Sequence, residues 1–209
     1  MIVGKFSFSS INNEENKEIL KNYLRGKDLM FIGIGTMKAY LDSCGPRICS
    51  KLEKDGINVY GTEDNQMHAL NIEEKVKKLK TDDKFKNKFK IAIDSCIGLK
   101  ESVGSIIIDN KGIRPGAGMQ KDLPRTGDIA IKIIISDNIY DVIYYNVENK
   151  NNNLDKILKR MNDAVDSTYN FIKNCLDELE NETNKFELLW VKRAHYLFSF
   201  FIKKYIIYI

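Results

Sequence analysis

Residues 89–98 read FKIAIDSCIG and join a short apolar run to a carboxylate. A run of this length, bounded by lysines and glycine, predicts a buried strand in the middle of a sheet. An unpaired carboxylate is costly to bury, so Asp94 should face a partner, water or a cleft. In open α/β sheets that cleft lies beyond the carboxyl ends of the strands. The tripeptide Asp-Ser-Cys also occurs upstream at Asp42, and we expect the fold to bring Asp42 and Asp94 together.

Strand and helix patterns alternate around this stretch. Residues 1–13 predict an arm or a short edge strand, and further strands are predicted at 28–34, 57–60, 104–109 and 129–135. Helices are predicted at 13–25, 45–55, 72–80, 138–146 and 154–179. Such alternation predicts an α/β fold with a mostly parallel sheet of about five strands and helices on both faces. We expect one domain at 1–180 and a separate tail at 181–209.

Composition narrows the functional classes. The chain has 209 residues, 43% hydrophobic and 30% charged, which is typical of a soluble globular protein. The net charge is +4 and only six of 33 basic residues are Arg, so we expect no specific nucleic-acid partner. Four cysteines occur without a CxxC pair, which argues against a zinc ribbon. With no signal-peptide pattern in residues 1–15, a cytoplasmic location is expected.

The tail differs in composition from the rest. Residues 186–209 carry eight of the 21 aromatic residues and four basic residues against one acidic residue. Its apolar runs are too short to span a membrane. We expect this segment to dock against the domain or a second copy, forming a homo-oligomer. Attachment to a membrane surface is the alternative.

A pair of close carboxyl groups has a specific chemistry. Like charges a few ångströms apart do not both ionise easily, so one pKa rises and the pair shares a proton. Such a pair can activate water and protonate a leaving amine. In the alternative, Asp42 and Asp94 each cap a following helix, and spacing alone favours that structural role.

Other side chains offer weaker signals. Cys44 and Cys96 each follow one of these aspartates by two residues, but a buried, inert thiol is the usual state of such a cysteine. His68 could act as a base, or with the two aspartates as a metal ligand. In the loop RPGAGMQKDLP at 114–124, Gly116 and Gly118 would let the backbone approach a ligand, and Lys121 could hold a carbonyl or carboxylate.

The motifs together resemble the sporulation protein YyaC family. The resemblance covers roughly residues 14–165, and the PGAG and KDLP runs are its most specific part. The matching runs are FIGIGT at 31–36, DSCGP at 42–46, VYGT at 59–62, HALN at 68–71, IDSCIG at 93–98, ESVG at 101–104 and residues 111–128.

That family is similar to the germination protease of spore-forming bacteria and, more distantly, to hydrogenase maturation proteases. The resemblance implies a three-layer α/β sandwich and an endopeptidase with two essential aspartates. By motif position these are Asp42 and Asp94, with His68 and the loop from Gly116 to Lys121 beside a protein or peptide substrate. It favours the catalytic role of the pair over capping.

Two departures from the family pattern define the alternatives. Residues 37–41 read MKAYL where the family has a polar run, which leaves open a non-catalytic binding or regulatory protein on the same fold. The loop at 112–127 lacks the histidine that completes the nickel site of maturation proteases, so we expect no metal.

No third glycine follows Gly33 and Gly35 to complete a dinucleotide fingerprint, so we expect no cofactor. A cysteine- or metal-dependent hydrolase is the third hypothesis.

Overall fold

The computed structural model describes residues 1–114, 125–138 and 153–206, and in the last segment the side chains from 155 to 190. Gly116, Gly118 and Lys121 lie outside the described residues, as does nearly all of the helix predicted at 138–146.

The described chain forms one six-stranded sheet with the order β1-β5-β6-β4-β2-β3. Its strands are β1 (Ile2–Ser7), β2 (Leu29–Gly33), β3 (Val59–Tyr60), β4 (Phe89–Ile97), β5 (Ser105–Asp109) and β6 (Ile129–Ser136). The four strands β6, β4, β2 and β3 run parallel, whereas β5 is antiparallel to both β6 and β1. The predicted fold class is confirmed, and the strand beyond the expected five is β1, which takes the edge position predicted for residues 1–13.

Four helices cover the described sheet on both faces. They are α1 (Glu14–Leu24), α2 (Cys44–Lys54), α3 (Ile72–Thr81) and α4 (Asn153–Ile206). Apolar side chains of α1, α2 and α4 pack with the odd-numbered residues of β4, such as Ile91 and Ile93. The apolar residues of α3 pack on the opposite face, with Ala92. Because side chains alternate across a strand, β4 contributes to both cores and lies at the centre of the molecule.

Helix α4 is much longer than the sequence pattern predicted. Its 54 residues correspond to about 80 Å at about 1.5 Å per residue. Met161 and Val165 are fully buried, whereas Phe186 and Trp190 are 63% and 59% exposed. The boundary predicted between 180 and 181 therefore falls within a continuous helix, at the point where packed side chains give way to exposed ones. In the part of the chain that the structure describes, no helix is long and apolar enough to cross a membrane.

Candidate functional site

Asp42 lies in a tight turn between β2 and α2. It ends a 3₁₀ turn (Tyr40–Asp42), and its backbone carbonyl accepts a hydrogen bond of 3.1 Å from Thr36 N. The backbone at residue 35 can approach the Asp42 carbonyl this closely only because that residue is glycine. Gly35 has φ +133°, and a Cβ there would lie 1.8 Å from the Asp42 carbonyl oxygen. The backbone around Asp42 is therefore fixed by a position that excludes side chains.

Asp94 lies on β4, next to the point where α2 meets the sheet. Ile34, just after β2, donates its N–H to the carbonyl of Ile93 within β4 at 2.8 Å, which holds the end of β2 against β4. The first turn of α2 rests directly on them, because a Cβ on Gly45 would lie 2.4 Å from the Ile34 carbonyl oxygen and 2.6 Å from that of Ile93. Asp42 precedes Gly45 by three residues and Asp94 follows Ile93. The glycine contact thus brings the two aspartates to one edge of the sheet.

The electrostatics of the two carboxyl groups are coupled. Burial raises the pKa of Asp42 to about 6, against a backbone hydrogen bond from Thr36 that lowers it. Burial raises the pKa of Asp94 well above its usual range, and the nearby Asp42 raises it further. The Ser95 N–H and the Lys132 ammonium act in the opposite direction on Asp94. The arrangement can therefore hold one proton between two carboxyl groups near neutral pH.

Lys132 is a neighbour of Asp94 that was not predicted from the sequence. It lies opposite Asp94 in the parallel ladder between β4 and β6, and its Nζ donates to Asp109 Oδ2 at 2.8 Å. A signal was present in the sequence, because a lone lysine within the apolar run IAIKIIIS at 129–136 needs a partner when it is half-buried. Its position beside the carboxyl pair depends on strand order, which the run itself does not reveal.

The cysteines near the pair are poor nucleophiles. Cys44 is fully buried, and burial raises the pKa of its thiol to about 12. Burial also raises the pKa of Cys96, and the Asp94 charge adds to that rise. A thiolate is the reactive form of cysteine, and both surroundings disfavour it. These thiols suit a structural role better than a nucleophilic one.

His68 lies on the loop between β3 and α3. The preceding residue, Met67, accepts a hydrogen bond of 2.8 Å from Gly35 N, so the loop borders the same edge of the sheet as Asp42. The His68 Nδ1 accepts a bond of 3.3 Å from Leu70 N within its own loop. Among the described residues, no group of three His, Cys, Asp or Glu side chains is arranged to hold a metal ion.

A known protein family matches the part of the chain that contains this site. The family described as "Protein of unknown function (DUF1256)" matches residues 6–168, which include both Asp42 and Asp94. The chain is also 40% identical over 124 residues to "Uncharacterized protein YyaC" of Bacillus subtilis (strain 168). That match covers 56% of this chain and 60% of the length of the relative. The predicted resemblance to YyaC is confirmed: the chain belongs to the DUF1256 family.

Proposed function

We propose that this protein is an aspartate-dependent, metal-free endopeptidase that cleaves a protein substrate in the cytoplasm of a sporulating cell. The observation that supports the chemistry is the convergence of Asp42 and Asp94, with raised pKa values, at one edge of the sheet. Support for a role in sporulation comes from the motif resemblance alone. Carboxyl groups with strongly perturbed pKa values are typical of functional sites.

The two carboxyl groups have different surroundings and therefore different proposed roles. Asp94 experiences both burial and the charge of Asp42, so in this proposal it keeps the shared proton. Asp42, with a pKa of about 6, is the ionised member near neutral pH. It takes a proton from a water molecule as the water oxygen attacks the scissile carbonyl carbon. Asp94 then donates its proton to the amide nitrogen as the C–N bond breaks, and exchange with solvent restores the starting state.

Substrate contacts are assigned from the sequence. The loop containing Gly116, Gly118 and Lys121 would line the cleft, and His68 would support it from the neighbouring loop. A glycine-rich strip allows a peptide backbone to approach closely, and a lysine can hold a carbonyl or carboxylate group.

The proposal is tested by incubating the purified full chain with a spore-protein extract between pH 5 and pH 8. Discrete fragments should appear, and the rate should rise as Asp42 ionises near pH 6 and fall at higher pH as Asp94 loses its proton. Asp42→Asn and Asp94→Asn should each abolish cleavage. Asp128→Asn is the matched control, since Asp128 Oδ2 binds Lys90 N, close to the opposite end of β4. Equal cleavage by the wild type and either active-site variant would refute the mechanism.

A non-catalytic binding protein is the alternative outcome of the same experiment. Its basis is the apolar run at 37–41. In the structure, Leu41 is 2% exposed within the core and the Tyr40 hydroxyl donates to Asn162 on α4 at 3.1 Å. These two bulky residues therefore pack towards α4 and the core. A wild-type protein that yields no fragments, yet retains a protein from the extract, would favour the binding role.

A further inference from the structure

The second half of helix α4 leaves the packed body of the domain. Leu179 still packs against the core, and Glu182 pairs with Lys21 of α1 at 3.1 Å. Every residue from 181 to 190 is exposed, although the helical backbone continues to Ile206. Large apolar side chains in this stretch are 56% to 63% exposed, namely those of Phe186, Leu188, Leu189 and Trp190.

These exposed side chains surround the helix rather than forming one face. Consecutive residues of an α-helix are about 100° apart, so Leu188, Leu189 and Trp190 lie on three different sides of α4. The rings of Phe186 and Trp190 contact each other along the helix, with centroids 6.2 Å apart. A helix that is apolar on all sides is normally buried in protein or in a membrane. We therefore expect a cover from outside the described chain.

The helix from residue 188 onwards is basic as well as apolar. Residues 188–206 read LLWVKRAHYLFSFFIKKYI, with four basic residues and no acidic one. Lys192 and Lys203 are 11 residues apart, which is about three helical turns, and Arg193 and Lys204 repeat this spacing. The four cations therefore follow one stripe along the helix, the basic stripe.

A second stripe of the same segment is apolar and mostly aromatic. Its members recur at intervals of three or four residues, as Trp190, Ala194, Phe198, Phe201 and Tyr205. At about 100° per residue, this apolar stripe lies roughly 140° around the helix from the basic stripe. Lys and Arg on one side of a helix with Trp and Phe on another are typical of helices that lie in the interface of a membrane.

Charge favours a lipid surface over a second copy of this chain as the cover. Pairing residues 188–206 with the same segment of another molecule would bring four cations against four cations, with no acidic residue in either segment. The acidic residues that precede the segment are already engaged within the chain, since Glu178 pairs with Lys17 and Glu182 with Lys21. An anionic lipid surface attracts Lys and Arg, and its headgroup layer is where Trp and Tyr are enriched.

We propose that residues 188–206 of α4 bind the surface of a membrane that contains anionic lipids. The apolar stripe enters the boundary between headgroups and acyl chains, and the basic stripe contacts the lipid phosphates. The helix lies along the surface rather than across the bilayer, because its basic residues interrupt apolar runs that are too short to span. This binding does not depend on the proposed peptidase activity, which it would confine to a membrane surface.

The fluorescence of the full chain tests this binding directly, because Trp190 is its only tryptophan. The protein is titrated with vesicles of phosphatidylcholine alone, or of phosphatidylcholine with about 30% phosphatidylglycerol. With the anionic vesicles, the Trp190 emission should shift to shorter wavelength and the protein should float with the lipid. Its affinity should be at least about tenfold higher than for the neutral vesicles, and should fall as salt is added.

Variants separate the basic stripe from the overall charge of the protein. Affinity for the anionic vesicles should fall at least about tenfold when Lys192→Gln, Arg193→Gln, Lys203→Gln and Lys204→Gln are combined. The matched control removes four exposed lysines on and after α3, on the opposite face of the sheet, and should change the affinity less than about twofold, namely Lys77→Gln, Lys78→Gln, Lys80→Gln and Lys84→Gln. Phe198→Ser with Phe201→Ser should weaken flotation while all the cations remain.

Thermal unfolding without lipid checks that these variants are folded, and the tail variants should keep the wild-type Tm because residues 181–190 are already exposed. Two results would overturn the proposal. One is a wild-type protein that binds neither kind of vesicle, and sedimentation of a dimer would then identify a second copy as the cover. The other is equal affinity for neutral and anionic vesicles. A protein that binds anionic vesicles but cleaves nothing would count against the peptidase alone.

Discussion

Replacing Asp42 by asparagine should make the protein more stable at neutral pH. The pKa of Asp42 rises from 3.8 to about 6 on folding, chiefly because of burial. At about 1.36 kcal/mol per unit, this difference corresponds to about 3 kcal/mol of unfolding free energy. Asparagine has nearly the shape of a protonated aspartic acid, and the hydrogen bond from Thr36 N to the backbone carbonyl of residue 42 does not depend on the side chain.

The sign of the pH dependence follows from proton binding. Below pH 3.8 both the folded and the unfolded states hold the Asp42 proton, and the group costs the fold nothing. Between pH 3.8 and about 6 the unfolded chain releases the proton first, so the stability of the wild type falls as pH rises and then levels off. Asp42→Asn removes this loss. The variant should exceed the wild type by only about 0.5 kcal/mol at pH 4 and by about 3 kcal/mol at pH 7.5.

Urea denaturation at several pH values between 4 and 8 measures this directly. In thermal unfolding, about 3 kcal/mol corresponds to a rise in Tm of roughly 6–12 °C for a chain of this size. Asp109→Asn is a control of opposite sign. Burial raises the pKa of Asp109, but hydrogen bonds from Lys132 and the N-terminal amine outweigh it and lower the pKa to about 2. This variant should lose about 1 kcal/mol at pH 7.5, since solvent screens part of the interaction.

The decisive comparison is between these two variants. An Asp42→Asn protein no more stable than the wild type at pH 7.5, alongside a destabilised Asp109→Asn protein, would show that Asp42 is not confined in a buried site. The pairing of Asp42 with Asp94 would then fail, and the proposed mechanism with it.

Three further predictions concern the site and its support. Cys44→Ala, Cys96→Ala and iodoacetamide treatment should each leave cleavage by the folded protein within about twofold of the wild type, because the raised pKa values keep both thiols protonated. A loss above about tenfold would favour a cysteine-dependent hydrolase, and a similar loss on treatment with a chelator would favour a metal-dependent one. Lys21→Met should lower the free energy of unfolding by about 1 kcal/mol in urea denaturation, since Lys21 bridges α1 to Glu178 on α4 at 2.9 Å but the partly exposed Glu178 keeps its pair with Lys17; an unchanged or raised stability would refute a stabilising role. Gly45→Ala should abolish cleavage and lower the Tm, because its Cβ would lie within 2.6 Å of the backbone oxygens of Ile34 and Ile93; normal cleavage would show that α2 can shift.

Most helices and strands could be predicted from the sequence because the patterns that indicate them are local. Asn13 precedes α1, and its side chain accepts from Asn16 N at 2.9 Å, as an N-cap residue does. The apolar run of β4 was likewise predicted, but the prediction that Asp94 ends the strand was wrong, because β4 continues to Ile97 through its pairing with β6. The full extent of α4 was missed, because the sequence from 186 onwards changes composition while its backbone remains helical through Ile206. A helix can pass from packed to exposed surroundings without any change in its backbone conformation.

The candidate site was predictable only in part. The motifs identified Asp42 and Asp94, and the structure adds their shared edge and their coupled pKa values. Lys132 was not identified, since its significance comes from partners far away in the chain. Roles for residues 116–121 remain predictions.

The sequence by itself determined the alternation of strands and helices, the family, and the identity of the two acidic residues, because periodicity and motifs are properties of neighbours along the chain. Only the tertiary structure decided that β4 lies between β2 and β6, and so places Asp94 opposite Lys132. The physical reason is that strand order and helix seating depend on how distant segments pack. The charge environment of a buried carboxyl group depends on that packing and cannot be read from its immediate neighbours.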